Sequence, residues 1–275
     1  MKKSENIYRP IEAEVLEVIT ESRTIKTFKL KPREDLTFVA GQFIELTIPG
    51  VGEAPFTPSS NPAIKETMEV TIMKAGKVTE KVHQLAKGDI VGLRGPYGDG
   101  YPMDHFAGKE VLVFGGGVGL APLRSLMHAL FNRIDDFKKI YFRYGSKTPG
   151  DIIYKEEIRK WEKRKDLDYR ITVDAGDDKW KGHVGLVTTI LDDKMGMDFG
   201  SAIAVVCGPP IMMKFGTSKL LELGFREENI YLSMEKNMSC GLGKCGHCRI
   251  GTYYACKDGP VFTYDKIKDF HGIWD

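Results

Sequence analysis

The sequence predicts an antiparallel β-barrel over residues 1–104, an α/β domain with a parallel sheet over residues 105–226, and a small cysteine-bearing segment over residues 227–275. Three observations predict this division. Short β-rich runs broken by Gly and Pro fill the first part, strands alternate with helices in the second, and four of the chain's five cysteines lie between Ser239 and Cys256. The 275 residues suit two cores better than one, since domains commonly run to about 100–150 residues.

Composition narrows the function classes. With 42% hydrophobic and 28% charged residues the chain is an ordinary globular protein, not a disordered one. Its net charge of +2 is spread without a basic block, which argues against a nucleic-acid partner. No stretch approaches the ~20 apolar residues of a membrane span. The opening "MKKSENIYRPIEAEV" also lacks the apolar core of a secretory signal, so the cytoplasm is the expected compartment. In a reducing compartment clustered cysteines bind metal more readily than they pair.

In the first part, "AEVLEVIT", "TIKTFKL", "QFIELTI", "MEVTIM" and "DIVGLRG" read as strands, and "GEAPFTPSSNP" as a turn-rich exit from the third. One helix is expected there, from Val78 to Ala86, on the spacing of Val82, Leu85 and Ala86. In the second part "EVLVFG", "KIYFRYG", "DYRITV" and "SAIAVVCG" are strands. The helices "APLRSLMHALF", "IYKEEIRKWEK", "GLVTTILD" and "PIMMKFGTSKLLELG" follow them in turn, the pattern of a parallel sheet. From Glu227 onward no long amphipathic element appears, and the segment is expected to need a metal to fold.

Chemistry concentrates at strand ends. In "VLVFGGGVGLAPLRSL" a strand ends in Gly115, Gly116, Gly117 and Gly119 and runs into a helix, offering backbone amides to a phosphate. The spacing is not G-x-G-x-x-G, and a tight turn without ligand is the plain alternative. In "AVVCGPPIMM" Cys207 closes a strand before Gly208 and Pro209, on the rim where ligands of open α/β sheets collect. A lone cysteine there is as readily a small buried apolar residue. In "KAGKVTEKVHQL" Gly76 and Thr79 frame a helix start able to hold a pyrophosphate. Cys240, Cys245, Cys248 and Cys256 have the spacing C-x4-C-x2-C-x7-C, and C-x4-C-x2-C with a distant fourth cysteine is the plant-type [2Fe–2S] arrangement. A structural zinc site is the alternative, although zinc ribbons usually bring two C-x2-C knuckles and only Cys245–Cys248 qualifies.

Taken in order, "APFTPSS", "GKVTEKVHQLAKGDIVGLRGPYG", "GGGVGLAP" and "CGPPIMM" resemble the ferredoxin–NADP reductase superfamily across residues 11–225. The resemblance implies a flavin-binding β-barrel and an α/β nicotinamide-dinucleotide domain. The family's flavin signature R-x-Y-S/T falls on Ala54, Pro55, Phe56 and Thr57, so the arginine is absent and the tyrosine is phenylalanine. It implies that Pro55, Phe56 and Thr57 meet the flavin, with Thr57 near N5. Gly76, Lys77, Val78 and Thr79 are left to hold the pyrophosphate largely alone; FAD is the expected cofactor and FMN the alternative. Gly115, Gly116, Gly117 and Gly119 would then receive NAD(P)H, and Cys207, Gly208 and Pro209 its nicotinamide end, with Thr57 and Cys207 at the reacting atoms.

The segments "LSMEKNMSCGLGKCGHC" and "ACKDGPVF" resemble one branch: electron-transfer subunits of dihydroorotate dehydrogenase, of soluble hydrogenase and of anaerobic sulfite reductase. That resemblance implies a [2Fe–2S] iron–sulfur cluster on Cys240, Cys245, Cys248 and Cys256; His247 could be read as a Rieske-like ligand, but with four cysteines available it reads as a solvated neighbour. It also implies electron flow between NAD(P)H, flavin and cluster to or from other subunits of a multi-subunit redox enzyme. "KCGHCRIG" leans to the hydrogenase group. A free-standing NAD(P)H:ferredoxin oxidoreductase, with ferredoxin as partner, and a zinc-ribbon module on an inactive scaffold are the alternatives. Arg143, Ser146 and Lys147 follow the second strand of the dinucleotide domain, where a 2′-phosphate could be met, although a basic surface loop looks the same. Phe262, Tyr264, Phe270 and Trp274 either form a docking surface or cover the cluster.

Overall fold

The computed structural model describes residues 6–274. The first six strands are β1 (Ile11–Thr20), β2 (Ile25–Pro32), β3 (Phe43–Ile48), β4 (Gly52–Phe56), β5 (Met68–Met73) and β6 (Ile90–Tyr97). They form an antiparallel sheet in the order β4-β3-β6-β1-β2-β5, and a bridge from Pro58 to Val70 brings its two edges together as a barrel. Period-two alternation sends Ala13, Val15, Phe28, Leu30, Ile44, Leu46, Val70, Val91 and Leu93 into one buried core. The Val, Leu, Ile and Phe side chains among them contribute about 1.5–3 kcal/mol each.

Two local expectations shift. The turn-rich segment begins as edge strand β4, paired with β3 from Ile44 opposite Phe56 to Ile48 opposite Gly52. The helix expected over Val78–Ala86 is α1 (Lys77–Val82), one turn shorter and starting one residue earlier.

After α2 (Met103–Phe106) come β7 (Glu110–Gly116), α3 (Leu120–Asn132), β8 (Lys139–Ser146), α4 (Lys155–Glu162), β9 (Leu167–Val173), β10 (His183–Val184), β11 (Ile203–Cys207) and α5 (Pro210–Glu222). The helix expected at Gly185–Asp192 is only a 3₁₀ turn, Val187–Ile190. Four consecutive β-branched residues crowd a helical backbone there, and the Thr189 hydroxyl donates to the Leu186 carbonyl instead.

The sheet does not stop at residue 226. Strand β12 (Ile230–Ser233) pairs parallel to β11, and β15 (Val261–Thr263) pairs antiparallel to β12. The order is β10-β9-β8-β7-β11-β12-β15, with apolar cores on both faces. Between these last strands lie β13 (Arg249–Ile250), β14 (Tyr253–Tyr254) and α6 (Ala255–Asp258), and α7 (Tyr264–Ile267) follows them. Met238, Cys248, Ile250, Cys256, Phe262, Ile267 and Ile273 of this region are buried in the same core as Leu112 and Val206. The cysteine segment therefore rests on the sheet, a support its weak periodicity did not announce. No helix among the described residues is long and apolar enough to cross a membrane.

Candidate cofactor sites

The glycine loop and the Cys207 turn abut. Strands β7 and β11 are neighbours with Cys207 opposite Gly115. A Cβ on Gly119 would lie 2.5 Å from the Cys207 carbonyl oxygen and 2.6 Å from the Gly208 Cα, so only glycine lets the two turns approach. Gly117 has φ +56° with open space beyond its Cα, and Tyr144 donates to its carbonyl at 3.1 Å. Gly117–Gly119 make a 3₁₀ turn that leads directly into α3. The rim thus offers first-turn amides at the carboxyl end of the strands, where a dinucleotide phosphate fits. Burial pushes the Cys207 thiol up to about 12, so it stays neutral and is no nucleophile.

On the barrel, Pro55, Phe56 and Thr57 are half-buried at the end of the edge strand β4. Helix α1 starts beside the other end of that strand, where a Cβ on Gly52 would lie 3.5 Å from Val78. The Thr79 hydroxyl accepts from the Ala75 and Gly76 amides at 2.9 and 2.8 Å and donates to the Gly76 carbonyl. Thr79 therefore shapes the turn. The next amides, those of Lys77 and Val78, have no intrahelical acceptor, and the Lys77 side chain is exposed. This donor set suits a pyrophosphate without the missing arginine.

The four cysteines of the C-terminal loop lie close enough to act on one another: Cys240 interacts with Cys245, and Cys256 with both Cys248 and Cys240. The Leu242 and Lys244 amides point at the Cys240 sulfur, each at 3.4 Å, and the Gly243 amide at the Cys256 sulfur at 3.1 Å. Burial raises the Cys240 thiol, but the Leu242, Cys245 and Lys244 amides outweigh it and bring the group down to about 6. Burial and the neighbouring Cys248 push Cys256 up to about 12. Cys245 is exposed and Cys248 and Cys256 are buried, while His247 stays exposed with Ser239 Oγ 2.9 Å from its Nδ1.

Sequence reasoning missed the contact between this loop and the barrel. Arg94 of β6 donates to both carboxylate oxygens of Glu53, to Tyr97 Oη at 3.0 Å and to the Cys240 carbonyl at 3.3 Å. A Cβ on Gly241, whose φ is +72°, would lie 2.6 Å from the Tyr97 ring. The only signal was "GLRGPYG", whose arginine gives no hint of its partner. One expectation is corrected. Arg143 does not await a 2′-phosphate: it lies within β8, fully buried, with Nη2 2.7 Å from Asp168 Oδ1 and further bonds to the Ile190 and Asp168 carbonyls. Ser146 is also buried and donates to the Thr148 carbonyl, leaving only Lys147 exposed. The tail aromatics are buried or partly buried against the core. Phe262 is buried, Tyr264, Phe270 and Trp274 pack on the same core, and Tyr253 meets the Phe262 and Phe270 rings at 5.7 and 6.1 Å.

Comparison with known proteins matches these regions one by one. Residues 11–101 match the oxidoreductase FAD-binding domain, residues 113–217 the oxidoreductase NAD-binding domain, and residues 235–268 the iron–sulfur cluster binding domain of dihydroorotate dehydrogenase B. The sulfhydrogenase 1 subunit gamma of Pyrococcus furiosus is 39% identical over 290 residues, covering 100% of this chain and 98% of that protein. A probable dihydroorotate dehydrogenase B (NAD(+)) electron transfer subunit of Methanocaldococcus jannaschii is 34% identical, covering 94% and 92%. Among solved structures, an NADH-dependent reduced ferredoxin-NADP oxidoreductase superposes with a TM-score of 0.75 at 26% identity, covering 93% and 91%. The chain therefore belongs to the iron–sulfur branch of the ferredoxin–NADP reductase superfamily, the branch of sulfhydrogenase gamma subunits and dihydroorotate dehydrogenase B electron-transfer subunits.

Proposed function

We propose that this chain is an electron-transfer subunit that moves electrons between NAD(P)H, FAD and a [2Fe–2S] cluster, and exchanges them with a hydrogenase-type partner enzyme in the cytoplasm. The observation that carries the cluster type is the C-x4-C-x2-C-x7-C spacing of the four cysteines, on a loop whose amides point at the Cys240 and Cys256 sulfurs, a pattern that suits a plant-type [2Fe–2S] cluster better than a zinc ribbon with two C-x2-C knuckles. When bound, the flavin supplies the exchange between a two-electron hydride donor and one-electron carriers, and the cluster supplies the one-electron relay.

The residues have separable tasks in this reading. Pro55, Phe56 and Thr57 seat the flavin ring, and the turn Gly76, Lys77, Val78 and Thr79 holds its pyrophosphate by amides. Gly115, Gly116, Gly117 and Gly119 take the dinucleotide phosphates. Cys207, Gly208 and Pro209 orient the nicotinamide, Cys207 as a neutral thiol. Amides of the cysteine loop aimed at the sulfurs favour the thiolate form and tune the relay. The hydrogenase-type partner rests on the likeness to the Pyrococcus furiosus subunit.

A visible spectrum with metal and sulfide analysis tests this. Flavin bands, a broad cluster absorbance and about two iron and two sulfide per chain are expected. Cys245→Ser should bleach the cluster while NAD(P)H still reduces the flavin. A colourless protein holding stoichiometric zinc would overturn the reading, and purification without any partner chain would favour a free-standing reductase.

A further inference from the structure

Arg124 lies one turn into α3, the helix that starts at the glycine loop, and it reaches out of its own domain. Its Nη1 contacts Glu69 Oε2 of β5 at 2.5 Å and the Ser59 carbonyl at 3.3 Å, both in the barrel. Its Nε contacts Glu157 Oε2 of α4 at 2.5 Å, and Glu157 Oε1 is 2.9 Å from His128 Nε2 on the next turn of α3. The guanidinium also sits 4.5 Å over the Tyr154 ring. With 14% of its side chain exposed, Arg124 is largely desolvated, where fork-shaped ion pairs are strong and intolerant of displacement.

Its neighbours extend the tie. Tyr154 is the one non-glycine residue with positive φ among the described residues, at +54°, a strained backbone that its contacts must hold. Its amide donates to Glu21 Oε2 of the barrel at 2.7 Å, and its hydroxyl bonds Thr71 Oγ1 of β5. Thr71 Oγ1 lies 3.1 Å from Ser59 Oγ. At the far end of α3, Asn132 Nδ2 donates to Asn61 Oδ1 at 2.9 Å. Ser59 and Asn61 belong to the loop that begins at Thr57. The loop assigned to the flavin is therefore anchored at both ends of the helix assigned to the dinucleotide.

We propose that Arg124 is a positioning residue for hydride transfer, which fixes the Thr57 loop of the barrel against the Gly117–Gly119 turn through Ser59, Glu69 and Glu157. This rests on the functional reading above. Arg124 touches neither the nicotinamide nor the flavin in this role. Its loss shifts the approach of the two rings, and misplacement on the ångström scale costs up to roughly a hundredfold in rate.

The test uses the full-length protein with its flavin, mixed anaerobically with NADH and with NADPH in a stopped-flow spectrometer. Arg124→Met should slow flavin reduction at saturating nucleotide by at least about tenfold and weaken the long-wavelength charge-transfer absorbance, with the nucleotide Kd changed less than about threefold. Arg124→Lys should restore part of the rate, and Glu69→Gln, which keeps the shape of the site, should reproduce the defect with normal flavin content. Rates and charge-transfer absorbance at the wild-type level in a folded Arg124→Met or in Glu69→Gln would overturn the proposal. So would a slower rate explained entirely by lost flavin. A wild-type protein whose bound flavin neither nucleotide reduces would instead overturn the functional reading.

Discussion

Arg94 of the barrel and Cys240 of the cysteine loop, 146 positions apart in sequence, are joined by a guanidinium-to-carbonyl hydrogen bond of 3.3 Å. The same guanidinium is forked onto Glu53 of β4, at 2.9 Å from Nε to Oε1 and 2.6 Å from Nη2 to Oε2. Glu53, whose carboxyl is held low first by that hydrogen bond, thereby acts on the backbone of Cys240, a proposed cluster ligand. Edge strand and metal loop are one mechanical unit.

Arg94→Met should loosen that unit. Only 4% of the Arg94 side chain is exposed, so its removal strands a carboxylate; the cost should be about 3 kcal/mol, the low end for a buried pair because Glu53 keeps 26% exposure. Thermal unfolding and the rate of iron loss to a chelator check this. Arg94→Lys should recover the charge but not the fork. Iron loss at the wild-type rate in Arg94→Met would show that the loop holds itself.

The same face carries a second, opposite carboxyl. Glu45 of β3 is fully buried, and neither of its oxygens has a hydrogen-bond partner. Burial is the main cause that lifts it from 4.5 to about 7, with Glu53 and Cys240 adding to the rise and Arg94 opposing it. A carboxyl raised in the folded state is fully stabilising below 4.5, and its contribution is lost as pH climbs through about 7. Between pH 4.5 and pH 8 the wild type should lose about 3 kcal/mol relative to Glu45→Gln, on ~1.4 kcal/mol per unit. Denaturant unfolding of both proteins across that range measures it. Parallel pH profiles would mean that Glu45 is ionised throughout or solvated.

What the sequence revealed and what it hid divide along chemical lines. Gly115 to Gly119, Cys207 and the four clustered cysteines were legible because each pattern lies within a few residues. The backbone groups they position are local too. Strands β12 and β15 were not legible: four and three residues long, they owe their pairing to β11 rather than to any periodicity of their own. Arg94, Glu45 and Arg124 are single charged residues in ordinary strands and helices. Their partners lie far along the chain, so nothing short of the fold singles them out. Arg143 misled for the converse reason: a basic residue near a strand end reads as surface until Asp168 is seen beside it.

Cys207→Ala should separate binding from chemistry at the nicotinamide end. The thiol lies at the end of β11 with 7% exposure, within the core that also holds Tyr101 and Val261. A small neutral group that only orients its neighbour acts mainly on the transition state, so saturating flavin reduction should fall roughly tenfold with nucleotide Kd little changed. Anaerobic stopped flow with NADH separates the two constants. An unchanged reduction rate would leave Cys207 as packing alone.

Removing residues 268–275 should damage the cluster before it damages any partnership. Ile273 is 6% exposed and Phe270 and Trp274 lie against the core that contains Cys248 and Cys256; Trp274 also stacks on Tyr264 with centroids 6.4 Å apart. Lys268 pairs with Glu227 at 2.6 Å, and Lys236 donates to the Gly272 carbonyl at 2.9 Å, so the tail is tied to both ends of the segment it covers. Losing the Ile273 side chain alone forfeits about 1.5–3 kcal/mol of burial. Water then gains access toward Cys248 and Cys256, the two cysteines of the loop that are buried in the intact chain. The truncated protein should therefore bleach faster in air and pass electrons more slowly to an artificial one-electron acceptor, with NAD(P)H still reducing its flavin. Stable cluster absorbance and a normal acceptor rate, accompanied by lost association with the native partner, would instead make the tail a docking element.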